Sequence, residues 1–330
     1  MFIKPGELRR LGIVGMNRRN LRYIHTYNDR SRYPAVDDKL QTKLLAHEAG
    51  IATAQVLAVV RRPHEVRHLS TGLPRHGFVL KPAKGSGGKG ILVIRESGER
   101  GHRKSNGHWI SDQDLQRHAH NTLAGLFSLA GTPDVLIVEE LIHCDDTFAD
   151  YSVEGVPDIR IIVFRGFPVM AMLRLATHAS DGKANLHQGA VGVGIDMGSG
   201  RAVGGVQFNR PVACHPDTGK LLERLAIPGW PAILELASRC YEMSGLGYLG
   251  ADIVLDRNGP LLLELNARPG LSIQVANRQG LEPRLAHIEQ HAPTGLTASE
   301  RTVYAQRAFG QSGRDHPAAN PAPTDIEVFG

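Results

Sequence analysis

The run Lys81-Pro82-Ala83-Lys84-Gly85-Ser86-Gly87-Gly88-Lys89-Gly90 constrains the fold most, because of what stands on either side of it. Phe78-Val79-Leu80-Lys81 precedes it and Ile91-Leu92-Val93-Ile94 follows, both with the length and β-branched content of strands. A dinucleotide fingerprint needs strand, glycine loop and then helix, so a second strand excludes it. A Walker loop is excluded because Gly88-Lys89-Gly90 lacks the Ser or Thr that must follow the lysine. What remains is a strand–loop–strand flap. Its glycines let backbone N–H groups approach phosphates, and Lys81 at a strand end can place an ammonium beside them. Taken alone, the same run also suits a mobile surface hairpin with solvated lysines.

The rest of the chain repeats that habit of strands returning as hairpins. Asp37-Asp38 predict the N-cap of a helix carrying Leu40, Leu44, Leu45 and Ala49, with Gly50 as its stop. Residues 51–60 read as strand, 95–108 as a long polar hairpin turn and 113–130 as helix. Val135 to Glu140 reads as a buried strand running into a connector, and residues 158–164 and 169–174 as a strand pair. Pro231 to Gly245 reads as helix, and 251–255 with 261–265 as paired strands. Hairpin returns favour an α+β fold over a doubly wound sheet. With 330 residues, 42% of them hydrophobic, one large or two modest domains are expected. The division expected is 1–37 as a short N-terminal segment, 38–150, 151–295, and a poorly ordered tail at 296–330, where Ser, Arg, Pro and Ala dominate.

Composition narrows the function classes. No run of about 18 apolar residues occurs, so no membrane span is expected. The first residues lack a secretory layout, and Cys144, Cys214 and Cys240 match no metal or disulfide spacing. A reducing cytoplasm is the expected location. A net charge of +5 with only 5% aromatics and no nucleic-acid motif favours phosphates and acidic substrates over nucleic acid.

A second cluster is Asp252, Glu264 and Asn266. Glu264 and Asn266 are two apart on a strand and point to one face. A three-residue loop, Arg257-Asn258-Gly259, pairs position 252 with 264 and aligns all three, with Gly259 in the left-handed position. Three oxygen ligands on one face suit Mg²⁺, and opposed carboxylates repel without a cation. A third cluster, Val138-Glu139-Glu140-Leu141-Ile142 followed by Asp145-Asp146, offers backbone to an adenine edge and acids to ribose hydroxyls. Solvated strand-end acids would look the same.

In order, these pieces resemble the ATP-grasp superfamily. Asp38-Lys39-Leu40-Gln41-Thr42-Lys43 resembles its first phosphate-binding lysine segment, with Lys39 in that role, Val79-Leu80-Lys81-Pro82 the second lysine strand, and Gly85-Ser86-Gly87-Gly88 the glycine flap beside Lys84. Glu139, Glu140, Leu141 and Ile142 resemble the adenine linker, with Asp145 or Asp146 as the ribose acid. Asp252 with Glu264-Leu265-Asn266 resembles the metal triad, and Asn266-Ala267-Arg268-Pro269-Gly270 the loop closing it. Asp158-Ile159-Arg160 and the segment 184–189 look like glutamate ligases acting on ribosomal protein. Residues 15–21 and the 266–270 loop look more like alpha-L-glutamate ligase-like proteins, related to sugar-transfer-associated ATP-grasp proteins.

The resemblance implies two α+β subdomains clasping ATP between them. Only 38 residues precede Lys39, so the usual N-terminal α/β domain is expected to be reduced or absent. It implies an ATP-dependent carboxylate–amine (or thiol) ligase working through an acyl phosphate, with glutamate or another amino acid joined to an amine acceptor. ATP and Mg²⁺ (or Mn²⁺) are the implied cofactors, and a homo-oligomer is compatible. Arg174 and Arg268 are the candidates for the transferred phosphate, and Arg160 for a ligand carboxylate or phosphate. Asn185, with His187, sits on a segment suited to a closing loop. A catalytically silent ATP-binding regulator is the alternative.

Overall fold

The computed structural model describes residues 5–85, 87–128 and 131–311, which divide into two compact units. One is Pro34–His143; the other joins Met1–Tyr33 to Cys144–Gly330.

In the 34–143 unit, β1 (Val56–Val60), β2 (Phe78–Pro82), β3 (Leu92–Gly98), β4 (Gly101–Lys104), β5 (Trp109–Ile110) and β6 (Leu136–Glu140) form an antiparallel sheet in the order β1-β6-β2-β3-β4-β5. One face buries Phe78, Leu80, Leu136 and Val138 against Leu115, Ala119 and Leu123 of the helix Asp112–Leu123. Ser111 caps that helix reciprocally with Asp114. The other face sets Ile137 and Ala83 against Leu40 of the helix Lys39–Glu48, whose N-cap is Asp38, as its sequence predicts. Residues 95–108 are not one long turn. They carry the end of β3 and all of β4, joined at Glu99-Arg100. These strands lie toward the sheet edge and bear polar, solvent-facing residues, so they lack the apolar alternation that marks a strand. The helix read over 113–130 ends at Leu123 because Gly125 turns left-handed at φ +83°.

In the other unit, β7 (Asp158–Phe164), β8 (Phe167–Leu175), β9 (Val191–Ile195), β10 (Ala202–Gln207), β11 (Arg210–Val212), β12 (Tyr248–Asp256) and β13 (Gly259–Asn266) form a second antiparallel sheet, ordered β11-β10-β9-β8-β7-β12-β13. The helix Trp230–Ser244 bonds it through Ser238 Oγ, which donates to Gly166 O at 2.6 Å. Residues 298–309 are helical, although composition placed them in the poorly ordered tail. Thr297 caps this helix with Glu300, and it buries Ala305, Phe309 and Arg301. Arg301 Nε donates to Gly166 O at 3.1 Å.

The first residues belong to this unit rather than standing apart. Tyr23 is fully buried, edge-on to Phe164 and stacked on Tyr248. Asn28 clamps one edge of β12 with both ends of its amide: its Nδ2 donates to Tyr248 O at 2.7 Å and its Oδ1 accepts from Tyr248 N at 2.8 Å. Among the described residues no helix is long and apolar enough to cross a membrane.

Candidate functional site

The helix face opposite Lys81 explains the chemistry of the 34–143 unit. Lys81 and Glu139 lie on β2 and β6, on the same sheet face as Ile137, and the helix Lys39–Glu48 covers that face. Lys43, one turn beyond Lys39, reaches into the same place. Glu139 Oε1 lies 2.7 Å from Lys81 Nζ and 3.2 Å from Lys43 Nζ, and all three side chains are buried. These are ion contacts by distance rather than aligned hydrogen bonds. Lys43 Nζ also donates to Ala54 O at 2.7 Å. Burial pushes the Lys43 ammonium down to about 8; Glu139 opposes the fall and the Lys81 charge adds to it. The cluster holds two ammonium groups and one carboxylate, so a net positive charge is left over. Lys43 closes the lysine segment recognised in the sequence, where Lys39 alone carries a role, although Lys43 repeats Lys39 at i+4.

Lys39 turns to the glycine flap, donating from Nζ to Gly85 O at 2.7 Å. The flap is held at both ends. Gly85 bridges Ser128, and Lys84 N donates to both oxygens of Asp134, which also accepts from Ser128 Oγ. At the exit, His118 contacts Gly90 O at 3.0 Å and stacks on Phe127; a Cβ at Gly90 would lie 2.5 Å from that ring. Between these anchors Gly87 and Gly88 take φ +62° and +76°, and a Cβ at either would meet nothing within 4 Å. Two successive left-handed glycines with open space around them leave room for another group to approach the backbone closely. Ser86 lies outside the described residues. On the linker, Glu140 N bonds Gln55 O at 2.9 Å, Leu141 is buried and Ile142 half-buried.

The other unit carries its chemistry on one face of the large sheet. The ladder pairs Asp252 with Arg160 on one side and with Glu264 on the other, and Asp158 with Arg174. The 252–264 register arises differently from the sequence reading. The ladder pairs Asp256 with Gly259 across Arg257-Asn258, and a bulge at Leu263 shifts it by one between Ile253 and Asp252. Gly259 does take a positive φ, +126°.

Asp252 is buried and fully engaged. Arg160 Nε and Nη2 donate to its two oxygens at 2.7 and 2.6 Å, and Arg174 Nη2 and Asn266 Nδ2 donate to Oδ2 at 2.7 and 3.3 Å. Burial raises its pKa, but the two guanidiniums outweigh burial and leave the carboxyl low, at about 2. Arg174 also forks onto Asp158, whose carboxyl is pushed up to about 6 by burial against the pull of Arg174, with the Asp252 charge adding to the rise. Asp158 was not picked from sequence, although it lies two residues from Arg160 on the same face.

The remaining candidates have other partners. Asn185 Oδ1 caps its own turn by accepting from His187 N at 3.0 Å. Asp145 caps a turn by accepting from Thr147 N at 2.9 Å; the side chain and then the backbone of Thr147 lower its pKa, and Asp146 meets Arg257 at 3.4 Å on the surface. Arg268 lies over the Tyr33 ring at 5.1 Å.

Whether this face suits a divalent cation rests on its donors. Among the described residues no three His, Cys, Asp or Glu side chains converge as a metal cage. Mg²⁺ does not need one, since it takes one or two carboxylates and completes its shell with water and phosphate oxygens. Asp158, Asp252 and Glu264 outnumber Arg160 and Arg174 on the face, all the donors are hard oxygens, and a cation fits that charge.

Residues 18–290 match the family described as sugar-transfer associated ATP-grasp. The chain belongs to this family. No curated protein matches. Among solved structures, the ATP-grasp ligase PsnB complexed with minimal precursor is 17% identical with a TM-score of 0.41, covering 84% of this chain and 63% of its own. D-alanyl-alanine synthetase A from Vibrio cholerae is 11% identical with a TM-score of 0.45, covering 84% of this chain and 66% of that one. A RimK domain ATP-grasp protein from Sphaerobacter thermophilus is 14% identical with a TM-score of 0.39, covering 79% of this chain and 69% of that one. This ATP-grasp chain therefore spans less than two thirds of the length of PsnB.

Proposed function

We propose that the protein is an ATP-dependent ligase that joins a carboxylate to an amine. The observation that carries this reading is the Asp252–Glu264–Asn266 face in a chain of the ATP-grasp family. In this reading a carboxylate oxygen attacks the γ-phosphorus of ATP and ADP leaves with the bridging oxygen. The amine then attacks the acyl carbon of the acyl phosphate, phosphate departs with its electron pair, and the amine loses a proton.

The chain's part is positioning and charge neutralisation. Lys39, Lys81 and the Gly85–Gly88 loop bind phosphate oxygens, and the linker Glu139–Ile142 holds the adenine. Lys43 shares Glu139 with Lys81, so Lys81 can leave that carboxylate for a phosphate without stranding it. Asp252, Glu264 and Asn266 would hold Mg²⁺, which when bound neutralises phosphate charge. Arg174 and Arg160 exchange Asp252 for the transferred group, a trade between oxyanions that a planar fork makes readily.

ADP release measured with ATP, Mg²⁺ and a panel of amino acids, peptides and sugar acids tests the reaction. ATP with Mg²⁺ should raise the thermal midpoint, and Lys81→Ala should weaken that by about 1.5–3 kcal/mol of lost charge-assisted bonding. No stabilisation at millimolar ATP and Mg²⁺ defeats the reading. Stabilisation without ADP release from any pair of substrates favours the silent regulator, for which the occupied Asp252 speaks.

A further inference from the structure

We propose that Arg19 and Arg268 form a subsite for an oxyanionic group on the substrate, separate from the carboxylate that reacts. The proposal rests on the ligase reading for its substrate, but not for its geometry. Arg19 opens a π-helical stretch, Arg19–Ile24, whose extra residue per turn is uncommon and recurs at functional sites. Its Nη1 donates to Pro269 O at 2.7 Å, which seats the guanidinium against the loop that follows Asn266. Nε and Nη2 both donate to Asn20 Oδ1, at 3.0 and 2.9 Å.

Three of the five N–H groups of Arg19 are thus engaged, one on each nitrogen, and one remains on each terminal nitrogen. These two N–H groups can meet the oxygens of a carboxylate or phosphate. Both acceptors that hold Arg19 are neutral, so its charge is fixed in place but not balanced. Burial lowers its pKa, and the neighbouring Arg268 charge lowers it further. Arg268 immediately precedes Pro269 and lies over the Tyr33 ring. No ion pair to either arginine occurs among the described residues.

Arg160 adds to the field, since its Nη1 comes within 3.9 Å of a Cβ built on Gly270, while its other two nitrogens hold Asp252. Two like charges that feel each other, each held at neutral contacts, form a place where an anion relieves repulsion as well as gaining hydrogen bonds.

Calorimetric titration at constant ionic strength tests this with glutarate and with inorganic phosphate on the full chain. The wild type should bind one of them, and the tighter one names the group as carboxylate or phosphate. Arg19→Met and Arg268→Met should each weaken binding at least tenfold. Arg19→Lys, which keeps the charge but not the fork, should fall between. Exposed Arg9→Met should bind as wild type does, and circular dichroism confirms that each variant is folded. Equal affinity in wild type and folded Arg19→Met or Arg19→Lys overturns the subsite. So does absent binding of both anions in a wild type that ATP with Mg²⁺ stabilises. Anion binding that depends on Arg19 in a protein indifferent to ATP supports the subsite and sinks the ligase reading instead.

Discussion

Replacing Lys43 by methionine keeps most of a buried stem and removes the ammonium wedged between Glu139 and Ala54 O. The folded protein releases the Lys43 proton at about 8 and the unfolded chain near 10.5, chiefly because burial disfavours the charge. Between those values the unfolded state binds more protons, so stability rises with pH through that window. At 1.36 kcal/mol per pH unit, the whole window corresponds to about 3 kcal/mol, of which about 2 kcal/mol falls between pH 7.5 and 10. The 34–143 unit contains Trp109 and the other unit the second tryptophan, Trp230. In a Trp230→Phe background, Trp109 emission therefore follows the unit that contains Lys43. Urea unfolding across pH 7.5–10 should show the parent gaining about 2 kcal/mol on Lys43→Met. Parallel curves for the two proteins would refute a buried, proton-losing Lys43, and a parent that lost ground would reverse the sign.

Glu264→Gln should keep the fold and lose nearly all ADP formation, because the amide preserves shape but removes an anionic oxygen that Mg²⁺ depends on. An unfolded variant, or one with wild-type turnover, would show that Glu264 serves the sheet rather than the cation. Asn28→Ala should cost about 2–4 kcal/mol, since it strands Tyr248 N and Tyr248 O in the interior; thermal unfolding reads this, and an unchanged midpoint would mean the N-terminal segment does not brace β12.

Local residues carried much of the fold into view. Asp38 caps its helix through contacts within three residues, and the glycine loop between two strands excluded the helix-following nucleotide folds before any tertiary contact was considered. The period-two spacing of Glu264 and Asn266 placed their side chains on a shared face because a pleated strand leaves no other option. The short polar strand β4 was hidden, because at a sheet edge pairing comes from backbone bonds that side-chain pattern does not record.

What tertiary structure decided was which charges meet. Asp252 opposes Glu264 through a bulge at Leu263 and not through the loop length that sequence suggested, and a bulge has no reliable residue signature. Lys43 joins Lys81 and Glu139 because a helix crosses two strands that are distant in the chain, and Arg19 reaches Pro269 across 250 residues. Sequence determined the periodicities, caps and turns, whose energies are local. Packing decided the partners of each buried charge, since desolvation leaves such a group only the neighbours that the assembled fold brings to it.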